Sequence, residues 1–304
     1  MITNNQLAAR LVLEKTIWAI RSFFDEKNFS EVTVPVLQNA VPLEPTIAPF
    51  TSTWKTNEGE QELYLATSPE RYLKKMLALG LGNCYAIGHS FRNLESAGRH
   101  HHPEFLMLEW YREDADYQQI MTDVEQLLLS SASAVGHTAT APDIEYQGEV
   151  LSIQSPFRRV SLAKLFEETL GISYESIATD EQLRSVASQR GYSVTNASWE
   201  QLFNQIFLNE IEPHFGKQPF FLTAFPARIS PLCKRSAQNH LVADRFELYI
   251  AGIELANGNN EESDAGKVSA VFEQERRERT TKGQPAAKID TVFINALDQL
   301  AGLW

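Results

Sequence analysis

Cysteine is nearly absent from this chain. Cys84 and Cys233 are the two cysteines among 304 residues, and they belong to no metal-spaced group. No disulfide framework is expected, and reduced thiols in a cytoplasmic protein are the default. Long apolar runs are missing as well. None approaches the ~20 residues that span a bilayer, and the opening MITNNQLAARLVLEK has no basic start followed by an apolar core, so neither a membrane span nor a signal peptide is expected. Positive charge is short, with 27 Lys and Arg against 39 Asp and Glu, a net charge of -12. An acidic chain is a poor candidate for a sequence-independent grip on nucleic acid. There is no internal repeat and no low-complexity segment. What is present, 43% hydrophobic and 22% charged residues, is an ordinary globular composition, enough for one large domain or two small ones.

The most informative stretch is FRNLESAGRHHHPEFLMLEWYR, residues 91–112. Before it, Tyr85, Ile87, His89 and Phe91 alternate with smaller or polar neighbours, a period of two that predicts a strand. Residues 93–102 hold Gly98 and a cluster of charge, which suits a loop. After Pro103 the alternation resumes. Phe105, Met107, Glu109 and Tyr111 share one face of a second strand, and Leu106, Leu108 and Trp110 share the other. A fixed cation at Arg92 beside an aromatic, a carboxylate and a phenol in line is a surface for something anionic, flat and amino-bearing. An amphipathic hairpin with solvated charges reads the same way locally. The triplet His100, His101 and His102 lacks the spacing of a zinc site.

Around this hairpin, residues 4–28 read as a helix with Asn4 as its cap and Leu13, Ile17, Ile20 and Phe24 as its stripe, and EVTVPVL (31–37) as a short strand carrying Pro35. Residues 38–62 suit a surface loop or hairpin. In YLATSPERYLKKMLALG (64–80), Ser68 is a candidate N-cap and Pro69 a first helical residue. Tyr72, Met76 and Leu79 form the expected stripe, and Gly80 the stop. Residues 114–136 predict a helix and 143–151 a hairpin. From 161 to 213 the pattern is helical. Ser161 and Gly171 bound one helix, Thr179 with Gln182 and Ser198 with Gln201 make two capping boxes, and Pro213 is the end. Leu202, Ile206 and Phe207 read as core, and PFFLTAFP (219–226) as a buried strand. In 243–266 a strand carrying Phe246, Leu248 and Ile250 runs into Glu254, Asn257 and Glu261 around Gly258. These oxygen-bearing side chains suit a solvated turn, a Mg²⁺ ion or an ammonium group equally. Helices to about residue 282 and over 289–301 close the chain.

The F-R-N, H-x-P-E-F and M-L-E-W-Y runs resemble motif 2 of the class II aminoacyl-tRNA synthetases in its lysyl-branch form. Within that family they are most similar to the elongation factor P–(R)-β-lysine ligases, paralogues without an anticodon-binding domain. The helix-then-Pro35 start resembles motif 1, T-S-P-E the amino-acid-binding turn, and S-P-L-x-K with E-L-A-N-G the later lysyl-branch stretches. The resemblance implies an α+β fold, an antiparallel sheet flanked by helices, and one catalytic domain over 1–304 with a helical insertion at about 161–213. It implies ATP and Mg²⁺ as cofactors. Arg92 and Glu254 would be catalytic, and Arg92, Asn93, Glu95, His102, Phe105, Glu254 and Leu255 would bind ATP. Ser68, Pro69, Glu70, Tyr111, Asn257 and Glu261 would bind lysine or β-lysine, with Glu254 and Asn257 holding the metal. The implied acceptor is a lysine of elongation factor P rather than tRNA, and the implied state is a homodimer.

Three departures stand out. Leu94 lengthens the motif 2 loop by one residue, Asn259 replaces an aromatic, and these 304 residues contain no motif 3, a G-x-G-x-x-R strand and helix that would clamp the distal phosphates. The sheet is therefore expected to lack its last strand and helix. The alternative to a ligase is a non-catalytic or truncated lysyl-tRNA synthetase paralogue that binds ligand without activating it.

Overall fold

The computed structural model describes residues 4–40, 47–93, 101–137, 143–281 and 289–300, the side chains of 298–300 excepted. In chain order its elements are α1 (Asn4–Glu26), β1 (Ser30–Glu31), β2 (Leu37–Gln38), β3 (Thr51–Thr56), β4 (Gly59–Leu65), α2 (Glu70–Ala78), β5 (Cys84–Phe91) and β6 (Glu104–Tyr111). There follow α3 (Tyr117–Ala134), β7 (Asp143–Tyr146), β8 (Glu149–Ser152), β9 (Arg158–Ser161), α4 (Leu162–Leu170), α5 (Asp180–Gln189) and α6 (Trp199–Ile206). The last are β10 (Phe220–Pro226), β11 (Val242–Ile250), β12 (Ile253–Asn259), α7 (Ala265–Thr281) and α8 (Thr291–Leu300). The chain divides into two compact units. One is Met1–Ile20 with Asp116–Glu261; the other is Arg21–Ala115 with Glu262–Trp304. The class is α+β, and most strand pairs are antiparallel, with β1–β5 and β9–β10 parallel.

The second unit is built on the β5–β6 ladder. Cys84 pairs with Tyr111, Ala86 with Glu109, Gly88 with Met107 and Ser90 with Phe105. One face of the pair therefore sets small residues opposite large ones. The other face carries Tyr85 and Trp110, on which Phe24 of α1 packs at 4.5 and 5.6 Å between ring centroids. Phe24 is fully buried, and burying such a side chain contributes roughly 1.5–3 kcal/mol. The expected strand over 31–37 is broken instead. Ser30 and Glu31 pair with β5, the N–H of Val32 donates to Tyr85, and pairing resumes with β4 at Leu37 and Gln38. Pro35 has no N–H to donate and falls in the gap.

Helix α2 lies beside the small-residue face. It begins one residue later than expected, with Pro69 at the cap and Ser68 making no capping bond. Its buried positions are Leu73 and Leu77 with Arg71 and Lys74, while Leu79 is exposed, so the Tyr72–Met76–Leu79 stripe is not the inward face. Gly88 is required by the close approach of Val34. A Cβ there would stand 2.8 Å from Val34 Cγ2 and 3.5 Å from Pro69 Cγ. Gly80, at φ +83, ends the turn after α2 as expected. Between α2 and α8, Asp290 accepts from Lys75 Nζ at 2.5 Å and pairs with Arg71 Nε at 3.4 Å. It also caps α8 through the N–H of Phe293 at 3.1 Å.

In the first unit the helical segment follows its sequence signals closely. Ser161 and the left-handed Gly171 bound α4, and both capping boxes form at α5 and α6. Leu202, Ile206 and Phe207 are buried in a core where Phe203 stacks on Phe166 at 4.8 Å and on Trp199 at 5.1 Å. A π-helical turn, Phe207–Ile211, and a 3-10 turn containing Pro213 follow α6. The sheet order is β12-β11-β10-β9.

Asp290 supplies a stability prediction. Burial alone would raise its pKa, but the Lys75 hydrogen bond, the Phe293 N–H and the Arg71 charge hold it below the usual value. Its contribution is therefore present above the unfolded carboxylate range and is lost as pH falls through the folded value. Asp290→Asn is expected to lower the unfolding free energy by about 3 kcal/mol near neutral pH, measured by urea melts. The gap to the unsubstituted protein should close as the pH drops below about 4. A gap independent of pH would contradict this.

Candidate active site

In the second unit, the predicted residues sit on α2, β5 and β6. The guanidinium of Arg92 lies 5.4 Å over the Phe105 ring, a cation–π contact that fixes it at the mouth of the hairpin. Its Nε is buried with no hydrogen-bond partner among the described residues, and the Oγ of Ser68 is in the same condition. Buried polar groups are normally satisfied, so both atoms are suited to a ligand. The backbone N–H of Arg92 donates to Pro103 and that of Asn93 to Ala48, which pins the start of the loop. Glu70, in the first turn of α2, accepts from Lys74 Nζ at 2.6 Å. The Tyr111 hydroxyl donates to Glu109 at 2.7 Å. His102 is exposed, and Glu95 lies outside the described residues.

In the first unit, Glu254, Leu255 and Asn257 are on β12, with Glu261 just beyond it. They do not ring a glycine turn. The turn is Ala251–Gly252, a two-residue connection with both residues at positive φ, and Gly258 is a strand residue whose Cβ would stand 2.7 Å from the Phe246 ring. A bulge decides which side chains meet. Leu248 pairs with Ala256 but Tyr249 pairs with Glu254, so Leu255 is the extra, unpaired residue and is exposed. In a regular strand Glu254, three residues from Asn257, would point to the opposite face. With the bulge, Asn257 Nδ2 donates to Glu254 Oε1 at 3.2 Å.

That face carries a residue the sequence reading missed. Glu247, across from Asn257, is 6% exposed and accepts from Arg245 at 2.6 Å and from the Tyr249 hydroxyl at 2.8 Å. Burial and the neighbouring Glu254 push its pKa up to about 7 against the opposing pull of Arg245 and Tyr249. Alternation along β11 puts it on one face with Arg245 and Tyr249. Its charge relation to Glu254 required the strand pairing. Glu212, at the end of the helical segment, is raised by burial and by Glu254 as well.

Among the described residues no group of three His, Cys, Asp or Glu is arranged to hold a metal ion by itself. Carboxylates of Glu247 and Glu254 with the Asn257 amide fit Mg²⁺ nonetheless, since that ion takes one or two protein carboxylates and fills its remaining positions from phosphate and water. The charge of Glu254 raises the proton affinity of the buried Glu247, a penalty that a bound cation relieves. Glu261 is set by its neighbour. Asn260 Oδ1 accepts from the Tyr117 N–H at 2.7 Å, and its Nδ2 donates to Asp244 at 3.0 Å. Glu261 then bridges to Cys233 through the backbone.

Because Glu247 holds its proton more tightly when folded, it favours the folded state most below the unfolded carboxylate range. That contribution falls as pH rises from about 4.5 to about 7. Urea melts between pH 4 and 8 should show a smaller fall in this window for Glu247→Gln than for the unsubstituted protein. Identical slopes would contradict the geometry.

The sequence matches the family described as tRNA synthetases class II (D, K and N) over residues 1–302. It is 36% identical over 285 residues to the elongation factor P–(R)-β-lysine ligase of an Enterobacter strain, covering 91% of this chain and 81% of the relative. The proteins of the same name from Proteus mirabilis and Yersinia enterocolitica are 35% and 37% identical, covering 98% and 95% of this chain and 86% and 84% of theirs. Among the described residues no helix is long and apolar enough to cross a membrane. With the match running almost end to end, this chain belongs to the class II tRNA synthetase family of the aspartyl, lysyl and asparaginyl type.

Proposed function

We propose that this chain is an ATP-dependent ligase that activates lysine or β-lysine as an adenylate and transfers the acyl group to a lysine of elongation factor P. The observation that carries the reading is Arg92, its guanidinium over the Phe105 ring and its Nε buried with no hydrogen-bond partner among the described residues. The names of the relatives in three bacteria support the substrate and the acceptor. Residues 1–304 act as one catalytic domain.

The substrate carboxylate, already ionised, attacks the α-phosphorus. An oxygen–phosphorus bond forms and the bond to pyrophosphate breaks. Arg92 holds the charge that develops on the phosphate oxygens, and Phe105 offers its ring to the adenine. Asn93, Glu95, His102 and Leu255 complete the nucleotide contacts. Glu254, Asn257 and Glu247 would hold Mg²⁺, which supplies charge neutralisation on the phosphates when bound. Ser68, Pro69 and Glu70 receive the amino group near the carboxylate, Tyr111 lines the same side, and Glu261 receives the distal amine by a charge-assisted hydrogen bond. In the second step the acceptor's ε-amine attacks the acyl carbon. The new C–N bond replaces the bond to AMP, and the amine proton passes to solvent. No nucleophilic side chain is needed. Leu7, Leu11, Val12 and Trp18 of α1 are exposed by 49 to 67%, and a second copy of the chain is the partner that covers them in a homodimer.

Pyrophosphate exchange into ATP tests the reading. It should depend on lysine or β-lysine, and Arg92→Ala should lower it by about a hundredfold or more. In thermal-shift titrations Arg92→Ala should lose stabilisation by ATP, while Glu261→Ala should keep it and lose the response to lysine. Absence of exchange from folded protein, or equal loss of both ligands in both variants, would count against these assignments.

A further inference from the structure

Asn259 has no part in the chemistry just described, yet it stands between two residues that do. Side chains along β12 alternate between two faces. Gly258 is on the packed face, where a Cβ would stand 2.7 Å from the Phe246 ring and 3.5 Å from Ile120 Cγ2. Asn260 is on the same face, its side chain bonded to Asp244 and to the Tyr117 N–H at the start of α3. Asn257 and Asn259 therefore point to the opposite face. The ladder continues through the Asn260 N–H to Asp244, so Glu261 follows them there. Across the ladder on β11, Glu247 is the partner of Asn257 and Arg245 that of Asn259.

Asn257 and Glu261 are thus ~13 Å apart along the strand, with Asn259 midway. A chain stretched from a head held near Asn257 to a distal amine on Glu261 crosses Asn259. The orientation of this amide is set. Its Nδ2 donates to the Asn260 carbonyl at 3.1 Å, which leaves Oδ1 as the atom for another group. Among the described residues Oδ1 accepts no hydrogen bond. The Arg245 guanidinium opposite is already divided among Glu247, the Ile229 carbonyl and the Ser230 hydroxyl. Asn259 is half-buried. A methylene stem laid over it would strip water from Oδ1 and offer nothing in return, and an acceptor covered without a partner is costly. The complement of a plain stem is an apolar side chain, not an amide. A stem carrying a hydroxyl near its distal amine donates to Oδ1 and removes the cost.

We propose that Asn259 is a specificity-determining residue, selecting among lysine-type acids for one that carries a hydrogen-bond donor, such as a hydroxyl, on the chain beside the distal amine. The inference rests on the reading of Glu261 as the receiver of that amine. It narrows the substrate and adds no step to the reaction.

5-Hydroxylysine, with its hydroxyl on the carbon next to the one bearing the distal amine, is the probe, and lysine is its reference. In the unsubstituted protein, kcat/KM for amino-acid-dependent pyrophosphate exchange should be higher with 5-hydroxylysine than with lysine. In Asn259→Leu, which keeps the size and loses the acceptor, the ratio of the two should fall by about fivefold or more. KM for ATP should change by less than about twofold. A role confined to holding β12 in place would weaken both amino acids alike and leave the ratio where it was. That result overturns the proposal, as does a preference of the unsubstituted protein for lysine. Should Asn259→Leu not fold, Asn259→Ala removes the same acceptor, and the same ratio decides. If the unsubstituted protein shows no exchange with lysine, β-lysine or 5-hydroxylysine, the proposed function fails on its own. The selectivity is then read from thermal shifts with 5-hydroxylysine and with lysine. A larger response to 5-hydroxylysine that Asn259→Leu abolishes supports the inference, and equal responses overturn it.

Discussion

The register of the β5–β6 ladder is the constraint on which the second unit depends. Because side chains alternate with a period of two, a slip of one residue would exchange the two faces completely. In the register observed, Ala86, Gly88 and Ser90 lie opposite Glu109, Met107 and Phe105. The small residues on one strand make room above the large ones on the other. Pro69, at the start of α2, reaches contact distance there, and Val34 approaches so closely that Gly88 cannot carry a side chain. The opposite face is closed by Phe24 on Tyr85 and Trp110. Apolar packing on one side thus fixes where the polar groups on the other side stand, and Arg92 leaves the end of β5 already stacked on Phe105.

The first unit reaches a comparable result by different means. Its polar face is a row of charges held in a sheet whose other side is apolar. Arg245 and Tyr249 each hydrogen-bond Glu247. The bulge at Leu255 turns Glu254 toward Asn257. Glu247 is buried while Glu254 beside it is exposed, and the neighbouring charge makes ionising Glu247 costly. One withdrawn carboxylate beside an open one suits a cation that takes its remaining positions from a ligand.

Much of this was legible in the sequence because it rests on local rules. The capping boxes at Thr179 and Ser198, the Gly171 stop and the alternation in β6 are each decided by a few neighbouring residues, and each formed as read. The motif 2 residues identified the family for the same reason. What was not legible depended on pairing between distant segments. Nothing near Leu255 announces a bulge, so Glu254 and Asn257 were read around a turn at Gly258 that is really strand. The importance of Glu247 shows once β12 is laid beside β11. Ser68 looked like a cap by type, but Pro69 took that position and left the Ser68 hydroxyl for another use. The stripe on α2 failed because two basic residues, Arg71 and Lys74, occupy its buried side with acidic partners that periodicity alone does not reveal.

The physical account comes to a carboxylic acid made reactive by phosphate-gripping charges and then given to an amine, with electrostatics and no covalent enzyme intermediate. The most direct measurement is the intact mass of elongation factor P after incubation with this protein, ATP, Mg²⁺ and β-lysine or lysine. The account predicts a gain equal to one lysyl group on a single lysine side chain, dependent on ATP. An unchanged mass, from folded protein that binds both ATP and the amino acid, would contradict it.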